Sequence, residues 1–125
     1  MVNRKEKRVN KSIVGEKSKA FAIRIIRLYQ HVYNEKKEQI LSRQILSSGT
    51  SIGANIREAL QAQSNRDFLS KMSIALKEAS ETEYWLELLA ETGYITTEEY
   101  NSIAADCSEH NRLLTSIVRT TKNKA

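Results

Sequence analysis

The sequence predicts an all-α protein, an antiparallel up-down-up-down bundle of four helices, and three observations carry that expectation. The 125 residues include no proline and only four glycines, so little in the chain forces a helix to stop. Apolar residues recur at three- and four-residue intervals in four long segments, the spacing of one buried helix face. Three short polar breaks separate those segments, each brief enough to return the chain alongside itself. A chain of this length forms one domain. The expected organisation is a basic flexible tail over residues 1–11, the bundle over 12–121 and a frayed basic end over 122–125.

The first helix is expected to start near Ser12 or Lys17, with Phe21, Ile25, Leu28 and Val32 as its inner stripe, widened by Ala22 and Tyr29. Ile23, Ile26 and Tyr33 form a second apolar row, more than one bundle can bury, which points to a partner surface. Asn34 to Lys37 supplies the first turn. The second helix, from about Glu38 to Gln63, carries Ser47-Ser48-Gly49-Thr50-Ser51-Ile52-Gly53-Ala54-Asn55 at its centre. Gly49 and Gly53, four residues apart among small neighbours, strip one side of bulk and let another backbone approach closely. Each glycine costs about 0.5–1 kcal/mol against alanine inside a helix, so a packing role is expected of both. Asn55 falls in the apolar sector and needs a hydrogen-bond partner from another helix or from water.

Ser64 with Asp67 three residues on resembles a cap that opens helix three, whose inner stripe is Phe68, Met72, Ala75, Ala79, Thr82, Leu86 and Leu89. Tyr84 and Trp85 are adjacent and cannot both enter one narrow core, so at least one faces a neighbour or the rim. Gly93 stops this helix, and Thr96-Thr97-Glu98-Glu99 provides a capping box for the fourth. Tyr100, Ile103, Cys107, His110, Leu114, Ile117 and Thr121 hold the inner positions of that last helix.

Charge is distributed unevenly within a net +5. Residues 1–40 carry a net +7, residues 78–100 a net −7, and residues 112–125 four basic side chains and no acid. The basic blocks name Arg4, Lys5, Lys7, Arg8 and Lys11 on the tail, and Arg24, Arg27, Arg112 and Arg119 on helices, as candidates for phosphate contact. No aromatic platform flanked by Arg or Lys is evident, so little base recognition is expected. The bland alternative is that these blocks are solvated helix faces.

Catalytic and metal constellations are poorly represented. A di-metal bundle site wants two Glu-x-x-His pairs, but His31 and His110 follow Leu28 and Cys107 at that spacing. Glu78 and Glu81 share a face with Lys71 and read as an ion-pair network. Cys107 and His110, three apart, mimic a thiolate–imidazole pair, although no third orienting residue accompanies them and a core thiol beside a histidine is the simpler account. No enzyme activity, cofactor or metal is expected. As the single cysteine, Cys107 forms no intrachain disulfide, and with no apolar run long enough for a signal peptide or a membrane span, a cytoplasmic protein is expected.

Ser51-Ile52-Gly53-Ala54-Asn55-Ile56-Arg57-Glu58-Ala59, followed by Asp67-Phe68, Lys71, Ile74-Ala75, Lys77-Glu78 and Glu83-Tyr84-Trp85-Leu86, resembles the four-helix bundle family of 23S ribosomal RNA intervening-sequence proteins. The resemblance spans nearly the whole chain, with Ala59 standing where members often carry Gly. It implies a homopentameric barrel of four-helix subunits. The family includes the accessory protein of diversity-generating retroelements, and that kinship implies RNA or DNA and a reverse transcriptase as partners. Tyr33, Tyr84 and Trp85, with Ile23 and Ile26, are the expected oligomer contacts, while Gly49, Gly53 and Asn55 form the packing motif. The function expected is a non-enzymatic, oligomeric, nucleic-acid-associated module, with a protein scaffold lacking any nucleic-acid role as the alternative.

Overall fold

The computed structural model describes residues 4–124, with side chains from residue 13 onward. The regular structure among them is helical: α1 (Arg4–Asn34), α2 (Leu41–Leu60), α3 (Asn65–Glu91) and α4 (Thr97–Asn123). α1 begins at Arg4, ahead of the Ser12 start that the sequence suggested, so the stretch expected as a tail continues the helix from Arg4. Its Arg, Lys and Glu residues are good helix formers, and no proline separates them from the apolar stripe, so Gly15 is carried inside the helix.

α2 is shorter than its apolar pattern at both ends. Lys37 takes a left-handed φ of 59°, which ends the turn after α1. The Glu38 carboxylate then accepts the Ser42 backbone N–H at 2.9 Å, while the Ser42 hydroxyl donates to the Glu38 carbonyl at 2.7 Å. At the other end the N–H groups of Gln61 and Ala62 reach back three residues to Glu58 and Ala59, tightening the last turn.

α3 and α4 start and stop as their sequence signals say. The Ser64 hydroxyl accepts the Asp67 N–H at 3.0 Å. Gly93 sits at φ 83°, and the N–H groups of Gly93 and Tyr94 return to the carbonyls of Ala90 and Leu89, the two bonds of a Schellman ending. Thr96 and Glu99 exchange the reciprocal bonds of a capping box at 3.1 and 2.9 Å.

One apolar core runs through the four helices. All seven residues of the α3 stripe are buried, together with Phe21, Ile25 and Val32 of α1 and Ile45, Ile52 and Ile56 of α2. Two hydroxyls cross this core between α2 and α3, where Ser48 and Thr82 lie 2.9 Å apart and Thr82 also donates to the Glu78 carbonyl. Pairing them internally meets the desolvation cost of burying both.

The glycines bring α1 and α2 together. A Cβ on Gly49 would stand 2.7 Å from the Ile25 side chain, and one on Gly53 3.3 Å from the Ser18 hydroxyl. A Cβ on Gly15 would touch Leu60 at 3.5 Å, so chain position rises along α1 as it falls along α2. The close approach expected from Gly49 and Gly53 is therefore made, and α1 contributes Gly15 and the buried Ser18 to it. Asn55 departs from its expected part: half-buried, it donates to the Ser51 carbonyl of its own helix at 2.9 Å and ties no second helix.

α4 completes the bundle against α3, and its seam with α1 is the thinnest of the helix contacts. That seam is polar at its edges. Lys17 pairs with Glu109, and Arg24 with Asp106 at 2.7 Å, on either side of the Phe21 and His110 rings, whose centres are 5.0 Å apart.

Candidate nucleic-acid interface

The helical arginines singled out by charge do not share one fate. Arg24 is used inside the molecule: its guanidinium bonds Asp106 Oδ2 at 2.7 Å and Ser102 Oγ at 2.8 Å, tying α1 to α4. A fork already held by a carboxylate is a poor receiver of phosphate, which corrects the expectation for Arg24. Arg27 makes no ion pair among the described residues, but the groove it lines also holds Glu98 and Glu99. The Glu99 carboxyl lies below the usual carboxylate range, chiefly because it accepts the Thr96 backbone N–H, so it stays charged beside Arg27. Anions entering that groove meet two carboxylates as well as Arg27 and the already paired Arg24.

Arg112 and Arg119 differ. Both are exposed on α4, on the side turned away from the buried Ile103, Cys107, His110 and Leu114. Among the described residues neither meets a carboxylate. They border a shallow groove of about 350 Å³ with Asn111, Thr115, Ser116 and Thr120. The tail candidates Arg4, Lys5, Lys7, Arg8 and Lys11 carry side chains outside the described residues.

The expected oligomer contacts divide as well. Ile23 is 49% exposed, Ile26 38% and Tyr84 54%. Tyr33 and Trp85 are half-buried within the chain itself. Tyr33 packs against Tyr29 with ring centres 5.2 Å apart, and Arg43 covers it, its guanidinium 5.5 Å from the ring and donating to the hydroxyl at 3.2 Å. The sequence reading missed this aromatic–arginine cluster because its members come from two helices joined across a turn. It also missed the exposed Ile13, Ile40, Leu60 and Ile74, which lie at the edges of otherwise regular patterns. Every exposed large apolar residue in the described structure lies on α1, α2, α3 or the α1–α2 connection, and none on α4.

The arrangements that resembled chemistry are otherwise occupied. Cys107 Sγ donates to the Ala79 carbonyl at 3.4 Å, and burial pushes its thiol up to about 12, so it offers no thiolate near neutrality. His110 Nδ1 lies 2.8 Å from the Asp106 carbonyl, which can only accept, so that nitrogen carries the proton. Nε2 is buried with no hydrogen-bond partner among the described residues, Cys107 included. Lys71 bonds Glu58 on α2 at 3.3 Å, which corrects the network expected with Glu78 and Glu81. The Glu78 carboxyl is pushed up by burial first and by Glu81 second. Among the described residues no three or more His, Cys, Asp or Glu side chains gather in a group fit to hold a metal ion, and no helix is long and apolar enough to cross a membrane.

These features define an all-α, four-helix protein. The family model of the 23S rRNA-intervening sequence protein matches residues 10–116, and the chain belongs to that family. It is similar to the crystal structure of a protein of unknown function from the S23 ribosomal protein family of Bacteroides thetaiotaomicron VPI-5482, at 60% identity over 88% of this chain and 98% of that one, with a TM-score of 0.86. No curated protein matches the chain.

Proposed function

We propose that this chain is an antiparallel four-helix subunit of a cytoplasmic homopentamer that performs no catalysis and associates with nucleic acid through its basic surface. The observation that carries the nucleic-acid part is the pair of α4 arginines without acidic partners in the described structure, on a chain of net charge +5. Five copies would carry +25. Such a surface attracts phosphate backbones and releases their counterions. The family's name, which refers to an insertion in ribosomal RNA, makes RNA the first ligand to test. A reverse transcriptase is the protein partner suggested by the wider resemblance.

Self-assembly is proposed on the exposed Ile23, Ile26 and Tyr84. The same residues favour the second reading, a scaffold that presents them to another protein and binds no nucleic acid. Titration of structured RNA and of duplex DNA with the protein at low and at physiological salt separates the two. Binding that weakens steeply with salt is expected; absence of binding to either nucleic acid even at low salt leaves the scaffold.

A further inference from the structure

The outward face of α4 sets two exposed arginines and two exposed hydroxyls along one side of the helix. Arg112 and Arg119 are seven residues apart, two helical turns or about 10.5 Å along the axis, and so point the same way. Ser116 and Thr120 lie between and beside them, exposed, with hydroxyls that make no hydrogen bond among the described residues. The Thr115 hydroxyl is already spent on the Asn111 carbonyl at 2.6 Å.

Two carboxylates that border this strip already have partners. Asn111 donates its amide to Glu83 Oε2 at 2.8 Å, and Glu109 is paired with Lys17, whose ammonium keeps the Glu109 carboxyl below the usual range. From Asn111 to the end of the chain there is no acid, while Lys122 and Lys124 add to the positive charge. No Phe, Tyr or Trp occurs on α4 after Tyr100, the His110 ring is buried, and the exposed large apolar residues of the described structure all lie on other elements.

We infer that the α4 strip from Arg112 to Arg119 is a phosphodiester-backbone contact, in which two guanidinium forks hold two phosphates and the Ser116 and Thr120 hydroxyls donate to the same oxygens. The inference rests on the nucleic-acid reading above and gives it a place. Arginine forks match phosphate oxygens, and hydroxyl donors to phosphate position a strand without reading its sequence. With no ring to stack a base, the strip takes the backbone of RNA or DNA alike and is indifferent to sequence.

The test measures affinity against salt for a labelled structured RNA and a labelled duplex DNA, with wild type, Arg112→Gln/Arg119→Gln, and Lys36→Gln/Lys37→Gln. The last variant removes the same two charges at the α1–α2 turn. Loss of two contacts should lower the slope of log affinity against log salt by about 1.8 for a duplex and about 1.4 for a single strand, for each strip engaged. The turn variant should keep the wild-type slope, and Arg112→Lys/Arg119→Lys should restore most of it. Loss on both nucleic acids identifies the shared backbone as the ligand, and loss on one alone overturns that assignment. A wild type that binds with a steep slope the α4 variant fully retains overturns this inference and leaves the basic-surface reading standing. A wild type that binds neither probe at low salt overturns both.

Discussion

α1 meets its two neighbours in opposite ways. Against α2 it approaches almost backbone to backbone, with Gly49 under Ile25, Gly53 under Ser18, and no room for a further methyl at the first of these. Against α4 the contact is thin and reaches across on long side chains, Lys17 to Glu109 and Arg24 to Asp106, whose ends are between a third and a half exposed. The division continues on the surface: Ile23 and Ile26 project from α1, while the outward side of α4 is polar and basic. Packing that depends on shape resists salt and yields to bulk, whereas packing that depends on exposed charge does the reverse. The two seams are thus set up to serve different ends, one to hold the subunit together and the other to keep charged groups near water.

The largest effect is expected where space is shortest. Gly49→Leu should destabilise by about 1–3 kcal/mol or more, as overpacked cores do, measured by chemical denaturation. Gly49→Ala already places its Cβ 2.7 Å from Ile25 and should still lower stability, despite the roughly 1 kcal/mol of helix propensity that alanine brings. Gly53→Ala is tight only against the Ser18 hydroxyl, at 3.3 Å, with the Ser18 carbonyl oxygen in ordinary contact at 3.5 Å, and should fall within about 1 kcal/mol of wild type. Equal tolerance of alanine at both sites would remove the close-packed half of the comparison.

The α1–α4 seam should respond less and in a different way. A double-mutant cycle on Arg24→Ala and Asp106→Ala is expected to give about 0.2–1 kcal/mol of coupling, fading at high salt, because both partners are more than a third exposed. Acid should act at the same seam. Lys17 holds the Glu109 carboxyl below its ordinary value, so the pair's contribution is present above the carboxylate range and is lost as pH falls through the folded-state value. Thermal melts of wild type and Glu109→Gln should therefore converge on acidification. A gap that widens toward low pH would contradict the assignment.

The smallest signal concerns Cys107. Buried, and with its thiol raised to about 12, it should stay unreacted with an alkylating reagent at neutral pH until the bundle opens. Fast labelling of the native protein would mean that the α3–α4 side is looser than its packing suggests.

Local patterns carried most of the fold. The α3 stripe from Phe68 to Leu89, the Thr96 capping box, the Gly93 ending and the close approach at Gly49 are each written in residues a few positions apart. What the chain hides is the choice of partner for a long polar side chain. Arg24 looked available because Asp106 lies 82 residues away in sequence, and Asn55 looked in need of another helix or of water because its periodic position does not reveal the Ser51 carbonyl one turn back. The start of α1 escaped for the opposite reason, since charged residues with high helix propensity read as a tail when no apolar stripe accompanies them. Arg112 and Arg119 were legible as charges, but only the folded chain shows that they lack acidic partners among the described residues while Arg24 has one.

The central claim is that assembly and phosphate contact use separate faces, and molar mass by light scattering tests it most directly. Wild type, Ile23→Glu/Ile26→Glu and Arg112→Gln/Arg119→Gln should be compared at the same micromolar concentration. The account predicts a wild type near five times the 14.3 kDa chain mass, a fall toward the single-chain mass for the α1 variant, and an unchanged mass for the α4 variant. A wild type that is itself monomeric, or an α4 variant that dissociates while the α1 variant does not, would contradict it.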